Sequence, residues 1–377
     1  MRIMHVADLH LGTRQYGYAE REEDFYKALE EVKKIAIDRK VNVVLIAGDA
    51  FDTPKPPARA VYELARFANT LRMNGMVVCG IEGNHDKTPD NYWLRTCNID
   101  PLELATPNTI MLDGGEQINI GGLNFDRSEE ILTKLEGLVE KSATWEFVGR
   151  PDKSLDIVVL HLGLAEMGAG FNPDLSVQQL APRLKALGCK YCALGHIHIP
   201  METNRDGIWF VQPGSLELKS IDEPQTKGVE IFEINNGEIT SMERVPYRTR
   251  QLEFLELNTD ADVANLTESR AKALADKLVV AYVSNTIQGG VGKVADWAKQ
   301  NGLMCRVMPV GTDAKQQKEY DRSNSMNLLK EAVETFFDEG SEQYAMVMDI
   351  LATGNPRLIV EKYLNGDTLQ PEAAGNP

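Results

Sequence analysis

Over the first 200 residues, short apolar runs alternate with amphipathic stretches, the pattern of an α/β domain with buried strands. The strand candidates are residues 2–7, 41–48, 76–83, 156–160 and 191–194. Between the first two, Phe25, Leu29, Val32 and Ile35/Ala36 recur at helical spacing. Between the next two, Val61, Leu64, Ala68 and Leu71 do the same, in a helix opened by Pro56 and Pro57 and capped by Thr53. Over residues 207–245 the reading changes to short strands, IWFVQPG, GVEIFEI and ITSMERV, with Asn235, Asn236 and Gly237 as a hairpin turn between the last two. A β-rich second half is therefore expected to close the first domain.

A fresh pattern starts after VPYRTRQ, which places a boundary near residues 246–251. LEFLEL reads as a strand, residues 268–278 and 291–300 as helices, and MCRVMPV as another strand, which together make a small α/β module. Past a polar stretch, Leu328/Leu329, Ala332/Val333 and Phe336/Phe337 repeat every four residues, and Ile359, Val360, Tyr363 and Leu364 close the pattern. These helices either pack onto the second domain or dock a partner. The expected division is 1–248, 249–315, 316–366 for the helices, and 367–377 for a tail whose composition, ending in QPEAAGNP, is that of a disordered terminus.

Composition narrows the class. The 377 residues are enough for one large core and a smaller unit. No run of about 18 apolar residues is present, and MRIMHVADLH resembles no signal peptide, so the reading is a cytoplasmic protein with no membrane partner. Five scattered cysteines argue against a disulfide framework, and Cys189 and Cys192 read as buried strand residues. The net charge of −16 is spread along the chain, with 28 basic against 37 acidic side chains over residues 1–250 and 12 against 19 over the rest. No basic domain is hidden by averaging, so any polyanion must be gripped by local cations, metal ions or a partner.

The chemistry lies where the strands end. Asp8 and His10 follow the first strand, Asp49 the second, and Asn84 and His85 the third; His161 ends the fourth, and His196 and His198 follow the fifth. Ligands of α/β sheets bind outside the carboxyl ends of strands. A lone histidine at a strand end is ordinarily a hydrogen-bonded structural residue, but five of the six histidines lie on this one rim. The sixth, His5, reads as a core residue. Carboxylates, imidazoles and one amide suit manganese, zinc or iron, and a carboxylate such as Asp49 can bridge two ions. Such a pair polarises a phosphoryl group and activates water, which points to hydrolysis at phosphorus. His85 stands beside a donor and suits either leaving-group protonation or orientation of a neighbouring ligand. Arg14, Arg21, Lys55, Arg59, Lys87 and Arg95 are candidate phosphate contacts. The segment from Gly289 to Lys293 lacks P-loop spacing, and Val294 stands where Ser or Thr is required, so it reads as a turn before a helix.

The series DLH, GDAFD, GNHD, HLG and GHIH resembles the calcineurin-like metallophosphoesterase superfamily over about residues 1–215. DLHLG followed by REEDF, with LIAGDAFD, IEGNHD, ALGHIH and VQPGSLE, is similar to the SbcD-type nuclease subunits of double-strand-break repair complexes. The resemblance implies a four-layer αββα sandwich with a small α/β capping domain and C-terminal helices. It implies two Mn2+ ions, one held by Asp8, His10, Asp49 and His198 and the other by Asp49, Asn84, His161 and His196, with His85 catalytic. It also implies 3′→5′ double-strand exonuclease and single-strand endonuclease activity, a homodimer, and an SbcC-like coiled-coil ABC ATPase docked by the C-terminal helices. Archaeal and eukaryotic members often carry histidine where this chain has Asp52, so no role of that histidine carries over. Two other readings stay open: a phosphomonoesterase or small-molecule phosphodiesterase of the same superfamily, and a non-catalytic scaffold. GNHD and GDAFD depart from the protein-phosphatase pattern, and no donor is missing.

Overall fold

A computed structural model describes residues 1–111, 115–142, 154–167, 174–235 and 237–310; the expected C-terminal helices and tail lie outside them. In chain order the elements of the first unit are β1 (Arg2–Val6), α1 (Ala19–Asp38), β2 (Val43–Ala47), α2 (Ala58–Met73), β3 (Val77–Ile81), α3 (Tyr92–Thr96), β4 (Asp100–Pro101), β5 (Asn108–Met111), β6 (Gln117–Leu123), α4 (Ser128–Ser142), β7 (Ile157–His161), α5 (Val177–Ala186), β8 (Tyr191–Gly195), β9 (Met201–Arg205), β10 (Ile208–Gln212), β11 (Lys227–Asn235) and β12 (Glu238–Tyr247). They are followed by β13 (Leu252–Leu257), α6 (Asp260–Ala264), α7 (Glu268–Leu274), β14 (Leu278–Ser284), α8 (Gly290–Gln300) and β15 (Met304–Val310).

Two six-stranded sheets face each other, ordered β12-β11-β1-β2-β3-β4 and β5-β6-β7-β8-β10-β9. Alternate residues of the central strands serve different cores, which explains why β2, β3, β7 and β8 are almost wholly apolar. Ile3, Val43, Leu45, Cys79 and Ile81 of one sheet meet Ile157, Val159, Tyr191 and Ala193 of the other between the sheets. Their neighbours Met4, Val44, Ile46 and Val78 point outward onto Phe25, Leu29, Leu64 and Leu71 of α1 and α2. Val158, Leu160, Cys192 and Leu194 do the same onto α4 and α5. The result is the αββα layering that the resemblance implies. His5 is fully buried between the sheets, with Nδ1 3.1 Å from the Tyr191 hydroxyl, as the core reading expects.

Several local expectations need correction. Helix α2 begins at Ala58 with Pro57 in the capping position at φ −58 and ψ 144, so Thr53 is not the cap; Pro57 holds the entry extended. Residues 268–278 do not form one helix: α7 stops at Leu274 and Leu278 opens a strand, because the β-branched run LVVAYVS favours the pleated surface. Strands β5 and β6 and helices α4 and α5 were not anticipated. The compact units are Met1–Glu253 with Asp276–Leu278 and, among the described residues, Phe254–Ala275 with residues 279–310. In the second, a three-stranded sheet ordered β13-β14-β15 packs Val279, Ala281 and Val283 against Ala271, Leu274, Val294 and Ala298.

Candidate metal centre

β1, β2 and β3 of one sheet and β7 and β8 of the other run parallel within their sheets, so their carboxyl ends meet on one rim. The loops beyond them stay tied: the Asp8 N–H donates to Gly48 O at 3.1 Å, and the His10 N–H donates to Asp49 O at 2.9 Å. Gly48, at φ +88, admits the ring of His161 from the opposite sheet, since a Cβ there would lie 2.3 Å from Nδ1. Gly83 does the same for Asp49, whose Oδ1 would lie 2.1 Å from a Cβ. Asp8, His10, Asp49 and His196 all adopt positive φ, at 52, 42, 50 and 91. Left-handed backbone at non-glycine residues concentrates where a site over-determines its geometry.

All seven sequence-predicted donors come together, in two groups. In one, Asp8, His10 and His198 each offer an atom within 4.8 Å of the others. His10 Nε2 and His198 Nε2 face each other at 3.0 Å, and Asp49 Oδ2 lies 3.7 Å from His10 Nε2. In the other, His161 Nε2 lies 3.3 Å from Asp49 Oδ2 and 3.9 Å from Asp8 Oδ1. Asn84 Oδ1 sits 3.1 Å from both His161 Nε2 and His196 Nδ1. Asp8 and Asp49 thus both stand between the groups, Asp49 with one oxygen, Oδ2, 3.7 Å from His10 Nε2 and 3.3 Å from His161 Nε2. His85 is half-exposed beside them: its N–H donates to Asp49 Oδ1 at 2.8 Å, and its Nδ1 lies 2.9 Å from the Asp52 carbonyl.

The electrostatics are those of buried acceptors that draw in positive charge. Burial, with Asp49 adding to it, pushes the Asp8 carboxyl up to about 6 against the pull of His161 and His198. Burial opposes charge on His161 too, but Asp49 and Asp8 overcome it and raise the ring to about 9. Asp49 is pushed up by burial and brought below the usual carboxylate range chiefly by that ring. Burial lowers His10 to about 3, and burial with the charge of His161 lowers His196 to about 4. Behind Asp49, burial and the Asp49 charge raise the Asp86 carboxyl to about 7. Hard carboxylates with imidazoles, which ligate once deprotonated, on a partly open rim fit a divalent ion of the manganese, zinc or iron type.

The sequence reading missed several neighbours. Lys219 donates to Asp52 and lies with Nζ 3.0 Å from His10 Nδ1. Glu223 meets His198 Nδ1 at 2.8 Å, and the half-buried Phe125 ring lies 6.0 Å from His196. Lys219 and Glu223 sit in the polar stretch LELKSIDE just past the last motif, where charge spacing alone does not show an inward turn. The cation candidates divide. Arg21 is corrected: it is 0% exposed and spends its guanidinium on Gln15, Asp24, Glu217 and the Leu218 carbonyl, so no phosphate reaches it. Arg14 pairs with Glu22, and Arg59 with Glu23. Lys55, Lys87 and Arg95 are exposed, with Lys87 3.8 Å from Asp126.

The family model described as calcineurin-like phosphoesterase matches residues 1–200. The DNA double-strand break repair protein Mre11 of Methanocaldococcus jannaschii is 30% identical over 275 residues, 68% of this chain and 69% of that protein. The protein of the same name from Aeropyrum pernix is 29% identical over 65% of this chain, and there the match spans only 60% of the relative's length. Among solved structures, TT1561 of Thermus thermophilus matches 64% of this chain and 98% of its own at 14% identity and a TM-score of 0.41.

Asp49→Asn keeps the side-chain shape while removing charge from the group between both donor sets. Manganese bound per chain, read by equilibrium dialysis and elemental analysis, is expected to fall by at least half. Unchanged content with an unchanged circular dichroism spectrum would contradict a shared Asp49.

Proposed function

The chain belongs to the calcineurin-like phosphoesterase family and, within it, to the group of the Mre11 double-strand break repair proteins; on that premise we propose that it is a manganese-dependent DNA nuclease. It hydrolyses phosphodiesters, as a 3′→5′ exonuclease on double strands and an endonuclease on single strands. The observation that carries the reading is two adjoining donor groups on the strand-end rim, Asp8–His10–His198 and Asp8–Asp49–His161, with Asp49 Oδ2 3.7 Å from His10 Nε2 and 3.3 Å from His161 Nε2. Asp8, His10, Asp49 and His198 would hold one ion, and Asp49, Asn84, His161 and His196 the other. When bound, two such ions supply Lewis acidity to the phosphoryl group and lower the pKa of water.

The chain's own residues do the rest. The buried carboxylates of Asp8 and Asp49 stay fixed by main-chain donors: the His196 N–H reaches both oxygens of Asp8 at 3.0 and 3.1 Å, and the His85 N–H holds Asp49. A carbonyl only accepts, so His85 places its Nδ1–H on the Asp52 carbonyl and keeps Nε2 to handle the proton that the leaving oxygen takes up. Phosphate grip from this chain falls to Lys55, Lys87 and Arg95. The acidic balance leaves much of the DNA hold to a partner, read here as an SbcC-like coiled-coil ABC ATPase docked by residues 316–366 of a homodimer.

End-labelled double- and single-stranded DNA, incubated with the protein in manganese, is expected to shorten, with cleavage abolished by chelator and reduced about 100-fold or more in His85→Ala. Intact DNA beside rapid phosphomonoester turnover would move the function to a phosphomonoesterase. Normal cleavage by His85→Ala would remove its catalytic role. Light scattering on the full chain is expected to show twice the chain mass and, with the ATPase, a complex; deletion of residues 321–377 keeps the dimer and loses the ATPase. A monomeric full chain contradicts the dimer, and ATPase capture by the truncated chain contradicts the docking role.

A further inference from the structure

Both imidazoles that face each other across the first donor group have a carboxylate behind them. His10 Nδ1 lies 3.4 Å from Asp52 Oδ1, and His198 Nδ1 lies 2.8 Å from Glu223 Oε1. Glu223 is the more completely enclosed, at 7% exposure. The Ser220 N–H donates to its Oε1 at 2.9 Å. On Oε2 it receives the Lys227 ammonium at 2.6 Å, the Ser215 hydroxyl at 2.7 Å and the Lys219 N–H at 3.3 Å.

A carboxyl group that accepts from an ammonium and two main-chain N–H groups is ionised and accepts only, so its neighbour His198 must also donate. The proton of His198 is then on Nδ1 and the lone pair on Nε2, the atom that faces His10 at 3.0 Å. Lys227 completes the arrangement. Its ammonium is 1% exposed and bonds Glu223 and, at 2.8 Å, the Ser215 hydroxyl. A buried ion pair contributes little net stability over apolar residues of similar volume, so its presence directly behind an imidazole points to another use.

We propose that Glu223 is a positioning residue that fixes His198 in its Nδ1–H tautomer with Nε2 turned to the ion site, and that Lys227 dictates which oxygen of Glu223 does so. The consequence for metal uptake rests on the reading of the metal centre above; the tautomer does not. The segment from Ser215 to Glu223 is anchored to the same rim, since the Ser215 N–H bonds the His198 carbonyl and the Leu216 N–H bonds that of Asp8. The carboxylate therefore moves with the donors it serves.

The test is the behaviour of Glu223→Gln. Lys227 demands an oxygen, so the new amide turns its oxygen to Lys227 and its NH2 to His198. Nδ1 must then accept, Nε2 takes the proton, and the lone pair is lost from the ion site. Two-bond proton–nitrogen correlation spectra of metal-free protein labelled at histidine are expected to show His198 protonated on Nδ1 in wild type and on Nε2 in Glu223→Gln. Manganese affinity, by calorimetry, is expected to fall about 10- to 100-fold at one of two sites. In Glu223→Gln with Lys227→Met the amide is free to turn its oxygen back to His198, and both the Nδ1–H signal and the affinity are expected to return.

An Nε2–H His198 in wild type overturns the proposal, and this reading needs no variant to fold. Glu223→Gln with wild-type tautomer and affinity overturns it as well. A double variant no better than the single removes the part assigned to Lys227. Wild-type protein that takes up no manganese overturns the metal reading instead, and the tautomer spectrum then decides Glu223 separately.

Discussion

Two carboxylates buried side by side set the terms for everything around them. Asp8 is 0% and Asp49 1% exposed, and both lie within reach of His161. Burying an ionised carboxylate costs several kcal/mol unless it is paired and hydrogen-bonded. The fold meets that cost with main-chain N–H groups from His85 and His196 and with a ring that is driven to hold a proton. A divalent cation offers the same acceptors a stronger partner, at the place where five loops converge.

Convergence depends on the two sheets. Each contributes donors from its own parallel strands, so the site exists only where the sheets face each other in register. The close passes at Gly48 and Gly195 bring backbone and imidazole from opposite sheets nearer than a Cβ would allow; at Gly195 a Cβ would lie 2.1 Å from Ala47 O. Around this centre lies a second layer of charge. Asp52 with Lys219 backs His10, and Glu223 with Lys227 backs His198, so the direction of each imidazole is set by an ion pair one step removed from the chemistry. This layer tunes the donors, while the sheets place them.

Much of this was legible in the sequence because period and punctuation coincide there. The largely apolar runs ending at Val6, Ala47, Ile81, His161 and Gly195 mark buried strands, and polar groups at or just past their ends lie on one rim. β6 was less legible: QINIGGL carries two glycines, and a Cβ on Gly122 would lie 2.5 Å from Ile81 Cγ2, so packing rather than β-propensity chose those residues. Arg21 shows the limit of charge as a guide. It lies on an otherwise amphipathic helix and reads as a surface cation, yet Asp24 and Glu217, the latter almost 200 residues away, draw it fully inside. Glu223 was illegible for the same reason, since its partner His198 belongs to another loop, and Lys227 takes its place only through Glu223.

On the proposed reading, Asp49 joins two donor groups into one dinuclear site. Electron paramagnetic resonance of the protein loaded with two equivalents of Mn2+ tests it directly, because ions about 3.5 to 4 Å apart couple through a shared ligand. The account predicts an exchange-coupled dinuclear spectrum whose intensity grows only after the first equivalent is bound. A six-line spectrum of isolated ions that persists at two equivalents would contradict it.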